Sequence, residues 1–282
     1  MVTEYFNKAW AAYKNNFWQI SGAMITFMFI ILFFISIITF SLSIYTTPMT
    51  PENSHVIIKS VSGAAQIELR DTAPAPNPLM LLVEIALLLI MFLVTIALGA
   101  GIVRIYADAL KGKAKIKTMF TVAKQKFLTI VGAKIIVMLI VIPLYLLAFV
   151  ISLLLSGTSE LLAILYFMLL LIPIMFFSIL FSLTDQAVVI GNYSALESVK
   201  KSFNVVKSNY LEFLALILIS IIILLIFSLI PFIGSFINFI AITPIIGIAY
   251  TAFYLDKTHA GRTLKKKKIG KRNSTAKKKR RR

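Results

Sequence analysis

The chain of 282 residues contains no cysteine, only two histidines and only eleven acidic residues. The missing cysteines exclude disulfides, thiolate nucleophiles and cysteine metal sites. The histidines, His55 and His259, both lie outside the apolar runs. A serine nucleophile would need a base beside it, and no histidine is placed to serve one inside those runs. The sequence has no G-x-x-x-x-G-K-[ST], no H-E-x-x-H and no G-x-S-x-G. The expectation is a protein that is not an enzyme and binds no cofactor.

Apolar residues and positive charge are abundant. Hydrophobic residues make up 59% of the chain, mean hydropathy is +0.92, and several apolar runs exceed 18 residues. Runs of that length cross a bilayer as helices. The expected fold is all-α, a polytopic membrane protein with six spans: Ile20–Ile44, Leu79–Ile102, Phe127–Leu155, Leu161–Leu183, Leu211–Ile230 and Phe236–Tyr254. Ser156–Glu160 and Pro231–Ser235 are tight turns. Tyr45–Pro78 is the one long polar connection, in which HVIIKSV and AAQIELR either pair as a short hairpin around Ser62–Gly63 or form a mobile loop.

Three amphipathic basic helices are expected before spans one, three and five. In Leu196–Tyr210 the large apolar residues Leu196, Val199, Phe203, Val206 and Tyr210 recur at spacings that share one helix face. Lys200, Lys201 and Lys207 lie mostly off that stripe. Ser194 and Glu197 form a capping box at its start. Shifting Lys8–Ile20 by 193 positions superposes it on Lys201–Phe213, with Trp10 on Phe203, Lys14 on Lys207 and Asn16 on Asn209. A shift of 110 superposes it on Thr118–Ile130, with Trp10 on Phe120, Lys14 on Lys124 and Phe17 on Phe127. The spacing therefore predicts three cytoplasmic interfacial helices in a threefold repeat, with units of about 1–106, 107–184 and 185–256. A basic polar face beside an aromatic-bearing apolar face suits the headgroup plane.

The net charge of +18 is unevenly spread, with fourteen of the 29 lysines and arginines in Lys257–Arg282. Residues 1–256 are read as the membrane domain and 257–282 as a disordered polybasic cytoplasmic tail. Counting lysine and arginine on the two sides gives 26 against two, leaving out Lys134 inside span three. The positive-inside rule then places both termini in the cytoplasm of a multi-pass cell-membrane protein.

Ionisable residues within spans are functional candidates because burying them is costly. Glu84 in span two is either an interfacial group or a substrate or proton site. Lys134 in span three is either snorkelling to headgroups or functional. Asp185 sits at a span end, as does Glu212, and both read as helix-end or salt-bridge residues. Pro143, Pro173 and Pro244 mark either broken helices around a site or tolerated packing positions. Ala97, Gly99 and Gly101 would allow close helix approach. Lys200, Lys201 and Lys207, with Lys265, Lys266, Lys267 and Lys268 in the tail, are the candidate contacts to anionic lipid headgroups. The ribosome or a membrane protein is the alternative partner.

The segment AVVIGNYSALESVKKSFNVVKSNYLEFL (Ala187–Leu214) carries a family resemblance. Small Ala195 precedes a basic-Ser-aromatic step at Lys201, Ser202 and Phe203, and then a basic-x-Asn turn from Lys207 to Asn209. With six spans entered by basic helices, this resembles a broad prokaryotic group of six-span uncharacterised membrane proteins. That group includes the membrane domain attached to some glycerophosphodiester phosphodiesterases. The resemblance covers roughly Thr3–Leu255 and implies the fold. Phosphodiesterase activity is not carried over, because that chemistry needs paired histidines and metal-binding carboxylates. Two functional expectations result: a membrane scaffold or accessory protein, or a transporter or lipid-handling protein with a site between repeats.

Overall fold

A computed structural model describes residues 2–46, 56–61, 64–69, 78–157, 159–231 and 233–258. Helices dominate: α1 (Val2–Asn15), α2 (Phe17–Thr46), α3 (Pro78–Ala109), α4 (Ile116–Ser156), α5 (Glu160–Phe181), α6 (Thr184–Val189), α7 (Ala195–Ser208), α8 (Tyr210–Ser228), α9 (Ile233–Ile237) and α10 (Thr243–Lys257). A π-helical turn, Asn238–Ile242, joins α9 to α10. Six helical segments are long and apolar enough to cross a membrane: Phe17–Phe40, Leu81–Ala109, Ile116–Leu155, Ile164–Val189, Tyr210–Ser228 and Ile233–Lys257. The chain thus has the all-α, multi-pass membrane fold expected.

Two compact units divide the chain. Met28–Thr95 is one, and Met1–Phe27 with the described residues from Ile96 onward is the other. The smaller unit contains β1 (Val56–Val61) and β2 (Ala64–Leu69), paired antiparallel with Val56 opposite Leu69 and Val61 opposite Ala64. Of the two alternatives for the long connection, the hairpin is the one seen; Ser62 and Gly63 lie outside the described residues.

The core of the larger unit sits where the short basic helices meet the ends of the spans. Ala100 and Val103 of α3, Ile130 and Ala133 of α4, Phe181 of α5, Val188 and Val189 of α6 and Val199 of α7 form one buried cluster. Farther along α4 and α5 the large apolar side chains face outward, as at Leu139, Leu146, Leu154, Leu165 and Met168. That surface suits lipid, where no hydrophobic gain comes from burying leucine in protein.

Small residues set the helix approaches. A Cβ on Gly101 would lie 2.3 Å from the Met119 carbonyl oxygen, and one on Gly247 would lie 2.2 Å from the Tyr106 ring. Of the expected small-residue positions on α3, Gly101 is a contact and Gly99 faces open space. Pro143 and Pro173 lie inside continuous helices. Pro244 starts α10 immediately after the π turn, where Thr243 N–H reaches back to Asn238 O.

Two of the three expected interfacial helices are separate elements, α1 and α7. The second is not: Thr118–Ile130 runs without a break into the third span within the 41-residue α4. The difference lies in one residue type. At both breaks an asparagine amide donates to the carbonyl four residues back, Asn16 to Ala12 and Asn209 to Val205, each at 2.9 Å. Asparagine competes in this way with helix continuation. The matching position in α4 is Lys126, which leaves the backbone ladder intact and extends its ammonium to Asn192 Oδ1.

Candidate functional site

α7 is built by its sequence into a one-sided helix. The Glu197 carboxylate accepts the Ser194 hydroxyl at 2.9 Å and the Ser194 N–H at 3.2 Å. These bonds, the hydroxyl's first, hold the carboxyl below the usual carboxylate range. Ser198, Val199, Ser202, Val205 and Val206 are buried, whereas Leu196 is 51% exposed. The buried face is therefore rotated from the expected apolar stripe towards two serines. Ser202 explains the rotation. Its hydroxyl donates to Leu180 O at 2.9 Å and accepts Leu183 N–H at 3.1 Å. It thereby pairs backbone groups freed where α5 ends and α6 begins, groups that are costly to bury alone. Ala195 packs at the α4 position of Gly132, whose Cβ would lie 3.4 Å from its own. Periodicity favoured the large apolar residues over this serine; the basic-Ser-aromatic step was the signal that marked it.

The other face of α7 is cationic. Lys200 and Lys207 are exposed. Lys207 Nζ stands 5.6 Å from the Phe203 ring centre and Lys201 Nζ 6.0 Å from that of Tyr193. Four of the five positions buried in α7 are buried in α1 as well, Val199 alone having a half-buried counterpart, Phe6. Tyr5, Ala9, Ala12 and Tyr13 correspond, 193 residues on, to Ser198, Ser202, Val205 and Val206. Beyond the breaks, Ile20 and Ala23 match Phe213 and Leu216, all buried. The 110-residue shift brings Met119, Ala123, Ile130 and Ala133 of α4 onto Ala9, Tyr13, Ile20 and Ala23, again all buried.

The candidate charged residues divide between the units. Glu84 is in the Met28–Thr95 unit, half-buried on the second turn of α3. Lys134 and Asp185 come together: the ammonium lies 2.8 Å from Oδ1 and 2.9 Å from Oδ2 of the carboxylate. This pair ties α4 to α6, so Lys134 is neutralised within the protein. Asp185, close in sequence to Lys200 and Lys201, pairs with neither. Glu212 pairs with Lys257 at 2.7 Å, joining the start of α8 to the end of α10. Lys265, Lys266, Lys267 and Lys268 lie outside the described residues.

One contact that sequence reasoning missed joins α1 to that second pair. Tyr5, 4% exposed, donates its hydroxyl to Asp256 Oδ2 at 2.9 Å and lies 3.3 Å from Glu212 Oε1. Burial first, and then the Asp256 carboxylate, push its phenol above the usual tyrosine range. The partners are 251 and 207 residues away, so no local pattern announces them. Tyr13 extends the docking by donating to Ile240 O of the π turn at 3.1 Å.

An open cleft runs between α4 and α7, with Ile136, Ile140, Phe203 and Lys200 in its lining. Among the described residues, no three histidines, aspartates or glutamates are grouped to hold a metal ion. What the arrangement offers chemically is a set of ion pairs fastening helices together and an exposed cationic face. No curated protein and no solved structure matches the chain. A family model described as "Domain of unknown function (DUF7847)" matches residues 65–260, which is more than half of the chain, and the chain belongs to that family.

Proposed function

We propose that this protein is a non-catalytic membrane scaffold or accessory protein, built on a threefold repeat and set in the cell membrane with both termini cytoplasmic. Its helices α1 and α7 and its basic tail contact anionic lipid or a cytoplasmic partner. The carrying observation is the two-sidedness of α7: one face is locked onto α4, α5 and α6 while Lys200 and Lys207 stay exposed. A cationic face beside apolar spans would suit anionic headgroups, each lysine adding about 1 kcal/mol of attraction. The charged pairs support the same reading, since Lys134–Asp185 and Lys257–Glu212 tie helices together. The alternative, a transporter or lipid-handling protein with a site between repeats, finds less support. Helices α4 and α5 run unbroken through Pro143 and Pro173, and the α4–α7 cleft is predominantly apolar.

The test is affinity purification from native membranes, comparing the intact chain with one ending at Lys257. Loss of bound proteins or anionic lipid from the shorter chain supports the reading. A small molecule carried equally by both forms, with no partner and no anionic lipid, contradicts it. The cysteine-free background makes orientation directly testable. Ser62→Cys is expected to react with an impermeant maleimide on intact cells, and Ser208→Cys only after permeabilisation. The reverse pattern overturns the orientation.

A further inference from the structure

The cationic face of α7 includes one site with a shape of its own, and its assignment rests on the lipid-contact reading above. The open cleft between α4 and α7 has a volume of about 430 Å³, within the roughly 300–1,000 Å³ of ligand pockets. Ile136 and Ile140 of α4, Phe181 of α5 and Phe203 of α7 contribute apolar wall. Lys200 and Asn204, both exposed, are its polar lining. They are four residues apart on one helix and so share a face.

Lys200 differs from the lysines at the span ends. Lys134 is held by Asp185 and Lys257 by Glu212, whereas among the described residues no carboxylate lies within ion-pairing distance of Lys200. The cleft thus combines an open apolar trough with two exposed polar groups, the Lys200 ammonium, which no salt bridge holds and which Glu197 on its own helix only partly offsets, and the Asn204 amide. A soluble anion would satisfy Lys200 and leave the trough empty. A neutral lipid would fill the trough and leave the lysine without a net negative partner. Only an anionic amphiphile answers both parts, and the surrounding leaflet supplies one whose chain never has to leave hydrocarbon.

We propose that this cleft holds one anionic phospholipid, with an acyl chain along Ile136, Ile140 and Phe203 and its phosphate at Lys200 and Asn204. The experiment is native mass spectrometry of the full chain, delipidated stepwise in mild detergent and then exposed to phosphatidylglycerol, phosphatidylcholine or inorganic phosphate. One phosphatidylglycerol is expected to remain bound under conditions that strip phosphatidylcholine, and inorganic phosphate should not displace it. Lys200→Ala should lower the preference for phosphatidylglycerol about fivefold. Ile140→Trp fills the trough without changing charge and should lower retention of both lipids. Lys113→Ala, at an exposed lysine between α3 and α4 that is outside the cleft lining, should leave retention unchanged.

Equal losses in Lys200→Ala and Lys113→Ala, or no effect of Ile140→Trp, overturn the site. Diffuse attraction to the cationic face would then remain, and the scaffold reading with it. Displacement by inorganic phosphate also overturns the site. If wild-type protein retains both phospholipids equally and carries no anionic lipid from its membrane, the site and the underlying reading fall together.

Discussion

Asn16 and Asn209 stand 193 residues apart and make the same bond, each side-chain amide donating 2.9 Å to the carbonyl four residues before it. The backbone repeats the match. Asn16 N–H reaches Tyr13 O and Asn209 N–H reaches Val206 O, both at 3.1 Å, and the two asparagine carbonyls accept from Ile20 and Phe213 at 3.0 Å. Each bond set turns a short basic helix into the span that follows. Asn16 does one thing more: its amide also reaches Ala109 O, at the end of α3, at 3.2 Å.

That asymmetry gives a ranked prediction. Asn16→Ala removes two side-chain bonds, one of them to an Ala109 carbonyl that Gly112 N–H still pairs, and should cost about 1–2 kcal/mol, whereas Asn209→Ala removes one and should cost about 1 kcal/mol or less. Thermal unfolding in one detergent measures both, and equal losses would contradict the assignment of Ala109 to Asn16.

The Lys134–Asp185 pair is half-buried, so its worth lies between the surface and interior limits. Lys134→Met alone strands a carboxylate and should cost about 1–3 kcal/mol. Adding Asp185→Leu should recover most of that loss. A double-mutant cycle on unfolding midpoints reads the coupling, and additive losses would show that the two residues do not act as a pair.

Tyr5→Phe removes a hydroxyl bonded to Asp256 and close to Glu212, and should cost about 1.5–3 kcal/mol near neutral pH. The phenol's pKa is raised in the fold. Its contribution is therefore fully present below the unfolded tyrosine value of about 10 and is lost as pH rises above it. The difference in stability between wild type and Tyr5→Phe should shrink as unfolding is followed from pH 8 to pH 11. A difference that stays constant would show that the phenol is not held protonated.

Gly99 and Gly101, two residues apart on α3, should respond oppositely to alanine. A methyl at Gly101 meets the Met119 carbonyl and should cost about 1–3 kcal/mol by overpacking. At Gly99 nothing lies within 4 Å, and alanine should be neutral or stabilising by up to about 1 kcal/mol. Helicity and melting temperature of the two variants decide this.

These residues also show what the sequence makes legible. Runs such as Leu211–Ile230 declare spans because length and apolarity alone determine them. The burial phase of α1 and α7 is encoded in the 193-residue shift. The unbroken run of Thr118–Ile130 into the third span goes with Lys126, which stands where Asn16 and Asn209 make their backbone bonds. The face of α7 was partly hidden because Ser202 is buried for its hydrogen bonds rather than its apolarity. Lys134 and Asp185 were recognisable separately, but their pairing depends on how α4 meets α6. Tyr5 carried no signal at all, because its acidic partners enter from the far end of the chain.

The most direct test of the scaffold account is the lipid composition around the intact protein, extracted from its native membrane in polymer-bounded discs. The account predicts that anionic phospholipid is enriched over the bulk membrane and that the combined substitution Lys200→Glu, Lys201→Glu and Lys207→Glu abolishes the part of the enrichment due to α7. A lipid shell identical to the bulk membrane, unchanged by those substitutions, would contradict it.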